Sequence, residues 1–206
     1  MESERIKIFD EQWKLIGETT RAEAHRIGYW HETFHCWLIC KSEGIDYIYL
    51  QIRSEKKKDY PNLLDITAAG HLLVDETIAD GVRELEEELG LKVSMDELIS
   101  LGIIKYCVVQ ESFIDREIAH VFLYRCKNTI DEFKLQPEEV SGLVKIKFED
   151  FHQLWLGLKE EVRVEGFSIN SDGKKEIISE KIGKNKFVPH ERLYYERVAK
   201  LIHTYI

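Results

Sequence analysis

Three glutamate residues, Glu84, Glu87 and Glu88, occupy positions i, i+3 and i+4 of a segment with helical periodicity. On a helix this spacing places the three carboxylates on one face, where they repel one another. A hard divalent cation that prefers oxygen ligands offsets such repulsion, and Mg2+ is the natural candidate. A solvated acidic face is the alternative interpretation, and these glutamates taken alone favour it.

The residues around these glutamates contain signals for the start and the end of a helix. Thr77 is a candidate N-cap with Asp80 three residues later, and Gly90 is a candidate C-terminal stop. Apolar residues recur between them at helical spacing and predict one buried stripe opposite the glutamates, formed by Ile78, Val82, Leu85 and Leu89.

The segment from Gly70 to Leu91 resembles the Nudix motif, G-x5-E-x7-R-E-U-x-E-E-x-G-U, in which U is a bulky aliphatic residue. Its second half, RELEEELGL, matches at every fixed position. Its first half is one residue short, because six residues separate Glu76 from Arg83 where the motif has seven. Either a residue is missing from the loop that enters the helix, or Asp75 takes the place of the early glutamate.

The resemblance implies a metal-dependent hydrolase that acts on diphosphates, with Glu84, Glu87 and Glu88 as ligands of one or more Mg2+ or Mn2+ ions. Such an ion neutralises charge that develops on the phosphoryl oxygens and lowers the pKa of a bound water. A nearby carboxylate then serves as the base. We expect Arg53 and Arg83 to bind substrate, although a surface salt bridge explains Arg53 equally well.

A narrower resemblance, to isopentenyl-diphosphate isomerase, is carried by RAEAHRIGYWHETFHCWLI and LLDITAAGH. In that branch of the superfamily, upstream histidines, a histidine before the Nudix helix and two later acids bind a metal. We expect His71 and Glu117 to be ligands here, and the remaining matched positions are His25, His31 and Asp115. His35 is a further candidate on the same strand face as His31, but an isolated histidine on a strand is more often structural.

Two positions separate this chain from the isomerase. The isomerase needs a cysteine two residues before the motif histidine for proton exchange with the alkene, and Ala69 stands there. The later acid Glu117 has the competing interpretation of a solvated turn residue, and Glu138 and Glu139 are rival carboxylates. Aromatic residues that could stack on a base are more often part of a core, and they are Trp30, Phe113 and Tyr194.

The order of patterns predicts an α+β fold, a Nudix α/β/α sandwich with a mixed β-sheet and the loop-helix-loop of the motif. We expect a single domain over residues 1–206, with an N-terminal strand and hairpin in 1–60, the Nudix box in 70–91 and a C-terminal hairpin and helix in 160–206. Alternating strand patterns pair Phe34–Cys40 with Tyr47–Ile52, and a closing amphipathic helix covers His190–Ile206. The apolar residues of this helix are Leu193, Val198, Leu201, Ile202 and Ile206.

Charge and composition disfavour some classes of binding partner. The net charge of -9 disfavours a nucleic-acid polymer as partner. A charged N-terminus and the lack of any long apolar run predict a cytoplasmic protein without a membrane partner. Lys56, Lys57 and Lys58 are expected in a solvated loop, and the four cysteines are expected to be reduced.

Three functions remain at this point. The first is hydrolysis of a nucleoside diphosphate derivative or another small metabolite with a diphosphate. The second is isomerisation of an allylic diphosphate, which Ala69 disfavours. The third is a non-catalytic module that senses a ligand, which the retained glutamates disfavour. The sequence does not decide whether the chain forms a homodimer.

Overall fold

The computed structural model describes residues 3–110, 113–170 and 172–206. Within these ranges the strands form one mixed sheet. In chain order the strands are β1 Arg5–Phe9, β2 Leu15–Thr20, β3 Trp30–Ser42, β4 Ile45–Arg53, β5 Leu64–Asp65, β6 Ala68–His71, β7 Ile99–Val109, β8 Ile114–Cys126, β9 Val140–Lys147, β10 Glu161–Ile169 and β11 Lys175–Gly183.

Four α-helices and several single 3₁₀ turns complete the described ranges. The helices are α1 Arg21–Ile27, α2 Arg83–Leu89, α3 Phe148–Trp155 and α4 Arg192–His203. A 3₁₀ turn at Ile78–Val82 leads directly into α2. None of these helices is both long and apolar enough to cross a membrane.

Strand β3 pairs with more than two other strands of the sheet. It pairs antiparallel with β4 and β6 and in parallel with β8, which in turn pairs with β7. The predicted β3–β4 hairpin is confirmed, and its strands extend beyond the predicted limits. Glu43 and Gly44 both have positive φ, 51° and 79°, as a two-residue turn with the twist of a hairpin requires.

Alternate residues of β3 pack into two different cores, one on each face of the sheet. Phe34, Cys36, Leu38 and Cys40 pack against α2. Trp37 and Ile39 pack on the other face, against α3 and α4. Because side chains alternate along a strand, one continuous apolar run serves both layers. The predicted α/β/α sandwich is confirmed.

The C-terminal hairpin and helix are also present, as β10–β11 and α4, although Ser171 between the two strands lies outside the described residues. The buried face of α4 differs in part from the predicted one. Val198 and Ile202 are buried as expected, but Leu193 is 68% exposed. The face turned to the core is centred instead on Tyr194 and Tyr195.

The packing of α3 predicts a specific loss of stability. Phe151 is fully buried between Trp37 and Trp155, so Phe151→Ala leaves a cavity and should lower the free energy of unfolding by about 3 to 5 kcal/mol in urea denaturation. Leu158→Ala, at an exposed position just after the helix, is the control and should change it by less than about 0.5 kcal/mol. Equal losses in the two variants would contradict this packing.

Candidate active site

A cavity of about 350 Å3 lies where α2 faces the ends of β3, β6 and β8. Most of the residues singled out in the sequence line this cavity, although they come from separate parts of the chain. They are His25, His35, Arg53, His71, Arg83, Glu84, Glu87, Glu88, Asp115 and Glu117.

The entry to α2 is a capped 3₁₀ turn. The backbone N–H and the hydroxyl of Thr77 donate to the Asp80 carboxylate at 2.8 and 2.7 Å, which fixes this turn at its start. A 3₁₀ turn rises about 2.0 Å per residue against about 1.5 Å in an α-helix, so it spans more distance per residue. Gly90, with φ of 67°, ends the helix as predicted.

Arg83 organises the carboxylates at the start of α2. Its guanidinium donates to both oxygens of Glu76, at 2.5 and 3.1 Å, and to Glu84 and Glu87 at 2.5 and 3.1 Å. A further N–H donates to the carbonyl of His71 at 3.0 Å, so all five N–H groups are used. Glu76 therefore keeps its arginine partner, and the alternative with Asp75 is wrong. The proposed contact of Arg83 with substrate stays a prediction.

The three motif glutamates are not equivalent. Glu84 and Glu88 are buried, whereas the side chain of Glu87 is 54% exposed. Glu88 accepts hydrogen bonds from the Ala69 amide at 3.1 Å and from Gln51 at 3.3 Å. Burial raises the pKa of Glu84 to about 7 and raises the pKa of Glu88 well above its usual range, where the charge of Glu84 adds to the effect.

The position of Glu84 also explains the glycine that begins the motif. A Cβ added to Gly70 would lie 2.0 Å from Glu84 Oε1, so only glycine lets this carboxylate lie against β6. The buried, like-charged oxygens of Glu84 and Glu88 converge on the cavity, and the chemistry of this donor set fits a hard divalent cation.

A second group of ligand atoms lies at the other side of the same cavity. His25 Nε2 is 3.3 Å from His71 Nε2 and 3.5 Å from Asp115 Oδ1, and His31 Nε2 is 3.4 Å from that oxygen. Helix α1 and strands β3, β6 and β8 each supply one of these residues. The three histidines that the isomerase resemblance matched are therefore brought together.

Two atoms of this group point to a cation. His31 Nε2 and Asp115 Oδ1 are buried, and neither makes a hydrogen bond of good geometry among the described residues, although the two atoms lie 3.4 Å apart. Nδ1 of His31 lies 3.0 Å from the carbonyl of Tyr29, an arrangement that turns Nε2 toward Asp115. Burial opposes protonation of His31, but the charge of Asp115 outweighs it and raises the pKa of His31. The space between them thus attracts positive charge.

Glu117 is not the solvated turn residue of the competing interpretation. Strand β8 begins at Ile114, so Glu117 lies inside a strand and is only 6% exposed. Its Oε2 accepts hydrogen bonds from Thr33 and Tyr106 at 2.8 and 2.7 Å and contacts His35 Nε2 at 2.9 Å. Glu117, Asp115 and His31 have ligand atoms within 4.8 Å of one another.

Helix α4 contributes Tyr194, for which the sequence left open a place in the core or a stacking contact with a base. Tyr194 is buried, and its hydroxyl lies 2.7 Å from His35 Nδ1. Trp37 can only donate, and it donates to the Tyr194 hydroxyl at 3.3 Å. The hydroxyl hydrogen is therefore free to point to His35 Nδ1, which leaves Nε2–H to donate to Glu117. Tyr194 is thus a positioning residue for this carboxylate.

The basic residues near the cavity differ from expectation. Arg53 donates to Asp65 at 2.8 Å and to the Asp59 carbonyl at 2.8 and 3.1 Å, so its guanidinium is held by the protein. Lys57 is not in a solvated loop: its side chain is 13% exposed, lines the cavity and pairs with Glu139. Glu138 lies outside the cavity lining and pairs with Lys56 at 3.4 Å.

The aromatic candidates fall in three different places. Tyr194 is core, as expected. Trp30 donates to Glu11 at 2.9 Å and lies under the Lys105 ammonium, at 4.2 Å from the ring centre. Phe113 lines the cavity, with its ring 6.0 Å from that of His25 and 6.2 Å from that of Tyr60.

Comparisons with known proteins agree with this architecture. The NUDIX domain family matches residues 30–168. The chain is 41% identical over 202 residues to an uncharacterized Nudix hydrolase of Clostridium acetobutylicum, with 98% of each chain covered. It is 31% identical over 144 residues to a protein of Aliivibrio fischeri named isopentenyl-diphosphate Delta-isomerase, with 68% of this chain and 78% of the relative covered.

A solved structure shows the same fold. The DR0079 protein of Deinococcus radiodurans superimposes with a TM-score of 0.55 at 23% identity, over 75% of this chain and 88% of that chain. The chain belongs to the Nudix family. As a Nudix hydrolase it acts on phosphoric anhydride bonds.

The ion pair between Asp65 and His190 predicts a pH-dependent stability. His190 Nε2 lies 2.9 Å from Asp65 Oδ1 in a buried position. Burial opposes protonation of His190, but the charge of Asp65 raises its pKa above the ordinary value. Burial likewise opposes ionisation of Asp65, but the charges of His190 and Arg53 hold the pKa of Asp65 well below its usual range.

A raised histidine pKa stabilises the fold fully below the unfolded value of about 6.5, and this contribution is lost as pH rises through the folded-state pKa. The substitution His190→Gln should therefore lower the free energy of unfolding, relative to the wild type, more at about pH 5.5 than at about pH 9. Urea denaturation at the two pH values measures this difference. Asp65 stays ionised over this window because its own pKa is lowered. A loss that is constant between the two pH values would contradict the ion pair.

Proposed function

We propose that the chain is a metal-dependent pyrophosphohydrolase that cleaves the diphosphate linkage of a nucleoside diphosphate derivative or a related small metabolite. The observation that carries the proposal is that the glutamates of α2 line one small cavity together with a group of histidines and acids, namely His25, His71, Asp115 and Glu117. A volume of about 350 Å3 suits a small molecule, because ligand pockets begin at about 300 Å3.

The metal is proposed to be Mg2+ or Mn2+. Glu84, Glu87 and Glu88 would hold it on the side of α2, and His71 and Glu117 would do so on the side of the sheet. The orphaned atoms of His31 and Asp115 extend the second group, and His25 lies beside them. When bound, such an ion stabilises the negative charge that develops on the phosphoryl oxygens and makes a bound water more acidic.

The chain's own groups account for the rest of the reaction. A carboxylate among Glu84, Glu87, Glu88 and Glu117 would accept a proton from the attacking water. The water oxygen then forms a bond to phosphorus while the bridging P–O bond breaks, and the leaving phosphate keeps that electron pair. We propose that Lys57, which lines the cavity, meets the diphosphate together with Arg53 and Arg83. Each of these side chains is paired with a protein carboxylate and would exchange that contact for an oxygen of the substrate.

The wall of the cavity supports a nucleoside over an aliphatic group. The rings of Phe113 and Tyr60 meet edge to face at this wall, with 6.2 Å between centres. Both side chains present aromatic surface where a base could stack. The family assignment leaves the substrate open, so this preference belongs to the proposal.

Isomerisation of an allylic diphosphate is the second candidate, and the histidine cluster and the Aliivibrio relative favour it. The thiol that the resemblance requires is missing, however, since Ala69 occupies its position on β6. Cys36 and Cys40 pack in the core beneath α2, and no cysteine is among the described residues that line the cavity. Isomerised product with an intact diphosphate would overturn the choice of hydrolysis.

Two variants of α2 test the roles of its carboxylates. Glu88→Gln keeps the shape of a buried side chain but removes a negative ligand, and it should lower the rate of Mg2+-dependent hydrolysis by about 100-fold or more. The measurement is the formation of the two phosphate monoesters from a panel of nucleoside diphosphate derivatives, with the wild-type chain assayed in parallel.

The matched control is Glu86→Gln on the same helix. Glu86 is exposed and pairs with Lys92 at 3.0 Å, so this variant should retain wild-type activity. Circular dichroism of both variants excludes unfolding as the cause of any loss. Equal activity of Glu88→Gln and the wild-type chain would refute the role given to Glu88.

A further inference from the structure

A third group of metal-type ligands lies outside the cavity, where α3 and α4 pack together. Glu149 and His152 are three residues apart on α3, and His203 is the last residue of α4. The two histidines and Glu149 have ligand atoms within 4.8 Å of one another. None of these residues is among those that line the active-site cavity.

The two imidazole rings are stacked. Their centres are 4.7 Å apart and their planes differ by 1°, and the ring of Phe148 lies nearly parallel to both, at 16° and 18°. This stack fixes the histidines side by side. Glu149 and His203 are exposed and His152 is partly exposed, so an ion reaches them directly from solvent.

We propose that Glu149, His152 and His203 form a zinc site that joins α3 to α4. Two imidazole nitrogens and one carboxylate oxygen are a ligand set that Zn2+ accepts and that Mg2+ rarely uses. Three protein ligands leave the fourth position of a tetrahedron to water.

Binding requires the two histidine rings to turn out of their parallel arrangement, because an ion lies in the plane of each imidazole ring that holds it. With bonds of about 2.0 to 2.1 Å, ligand atoms of a tetrahedral zinc site lie about 3.3 Å apart. Exposed glutamate and histidine side chains cover the remaining distance by rotation about χ angles.

The site has a consequence for the cavity. His203 ends α4, and near the beginning of the same helix Tyr194 contacts His35. An ion bound between His203 and α3 would hold the C-terminal end of α4 against α3. Because Tyr194 lies on α4, the same ion would help to fix the contact between Tyr194 and His35. Because the ion binds the folded chain and not separated helices, it should also raise the stability of the fold.

The experiment is a zinc titration of the metal-free chain by calorimetry, in the wild type and in His152→Ala, His203→Ala and Leu158→Ala. The active-site cavity also offers ligands for zinc, so the stoichiometry is compared between variants. We expect one zinc equivalent to be lost, or its affinity to fall by at least about tenfold, in both histidine variants. Leu158→Ala, at an exposed position just after α3, should bind zinc as the wild type does.

Thermal unfolding with and without zinc provides the second measurement. Zinc should raise the Tm of the wild type more than that of His152→Ala, while Glu149→Gln should show an intermediate rise because it keeps both imidazoles. All three positions are at the surface, so circular dichroism should report folded variants. Unchanged zinc stoichiometry and affinity in the histidine variants would overturn the site, whatever the outcome for hydrolysis.

Discussion

Two carboxylates buried side by side, Glu84 and Glu88, impose the constraint on which the rest of the site depends. An ionised carboxylate loses hydration on burial, and a second one nearby adds repulsion, so both pKa values rise. The chain offsets this cost with the Arg83 guanidinium, the Ala69 amide and the Gln51 side chain. A divalent cation is the remaining counter-charge that the arrangement calls for, and the lack of a side chain at Gly70 makes room for Glu84.

The sheet supplies the opposite wall because β3 pairs with several strands at once. Its register sets His31 beside Glu117 and Thr33 beside His71, so residues distant in sequence meet within one layer of side chains. The odd-numbered residues of β3 share one face of the strand. Those near its start face the cavity, and those further along, Trp37 and Ile39, lie in the core under α4. One strand therefore joins the ligand cluster to the C-terminal helix through His35 and Tyr194.

Local sequence signals predicted the parts of the site that depend on local structure. Thr77, Asp80 and Gly90 marked the entry and the end of the motif helix, since caps act within a few residues. The shortened motif left the partner of Glu76 undecided, because the switch to a 3₁₀ turn depends on how α2 packs on the sheet. Glu117 could be taken for a turn residue, but β8 begins at Ile114 and buried partners satisfy the polar side chain of Glu117 inside the strand.

Other parts of the site could not be predicted from sequence. The contacts between Tyr194 and His35 and between His190 and Asp65 join residues 159 and 125 positions apart, and no periodicity records such pairs. Lys57 carried the same signal as its neighbours in a basic run, and only the fold turns it toward Glu139. Leu193 fitted a helical stripe, but the large rings of Tyr194 and Tyr195 decide which face of α4 is buried.

The most direct test of the account is anomalous diffraction from crystals soaked in Mn2+ together with a non-hydrolysable nucleoside diphosphate analogue. The account predicts manganese peaks inside the cavity, bounded by the carboxylates of Glu84, Glu87 and Glu88 and by the cluster of His31, Asp115 and Glu117. The diphosphate of the analogue should touch that metal. Manganese found only outside the cavity, with the analogue bound elsewhere or absent, would contradict the central claim.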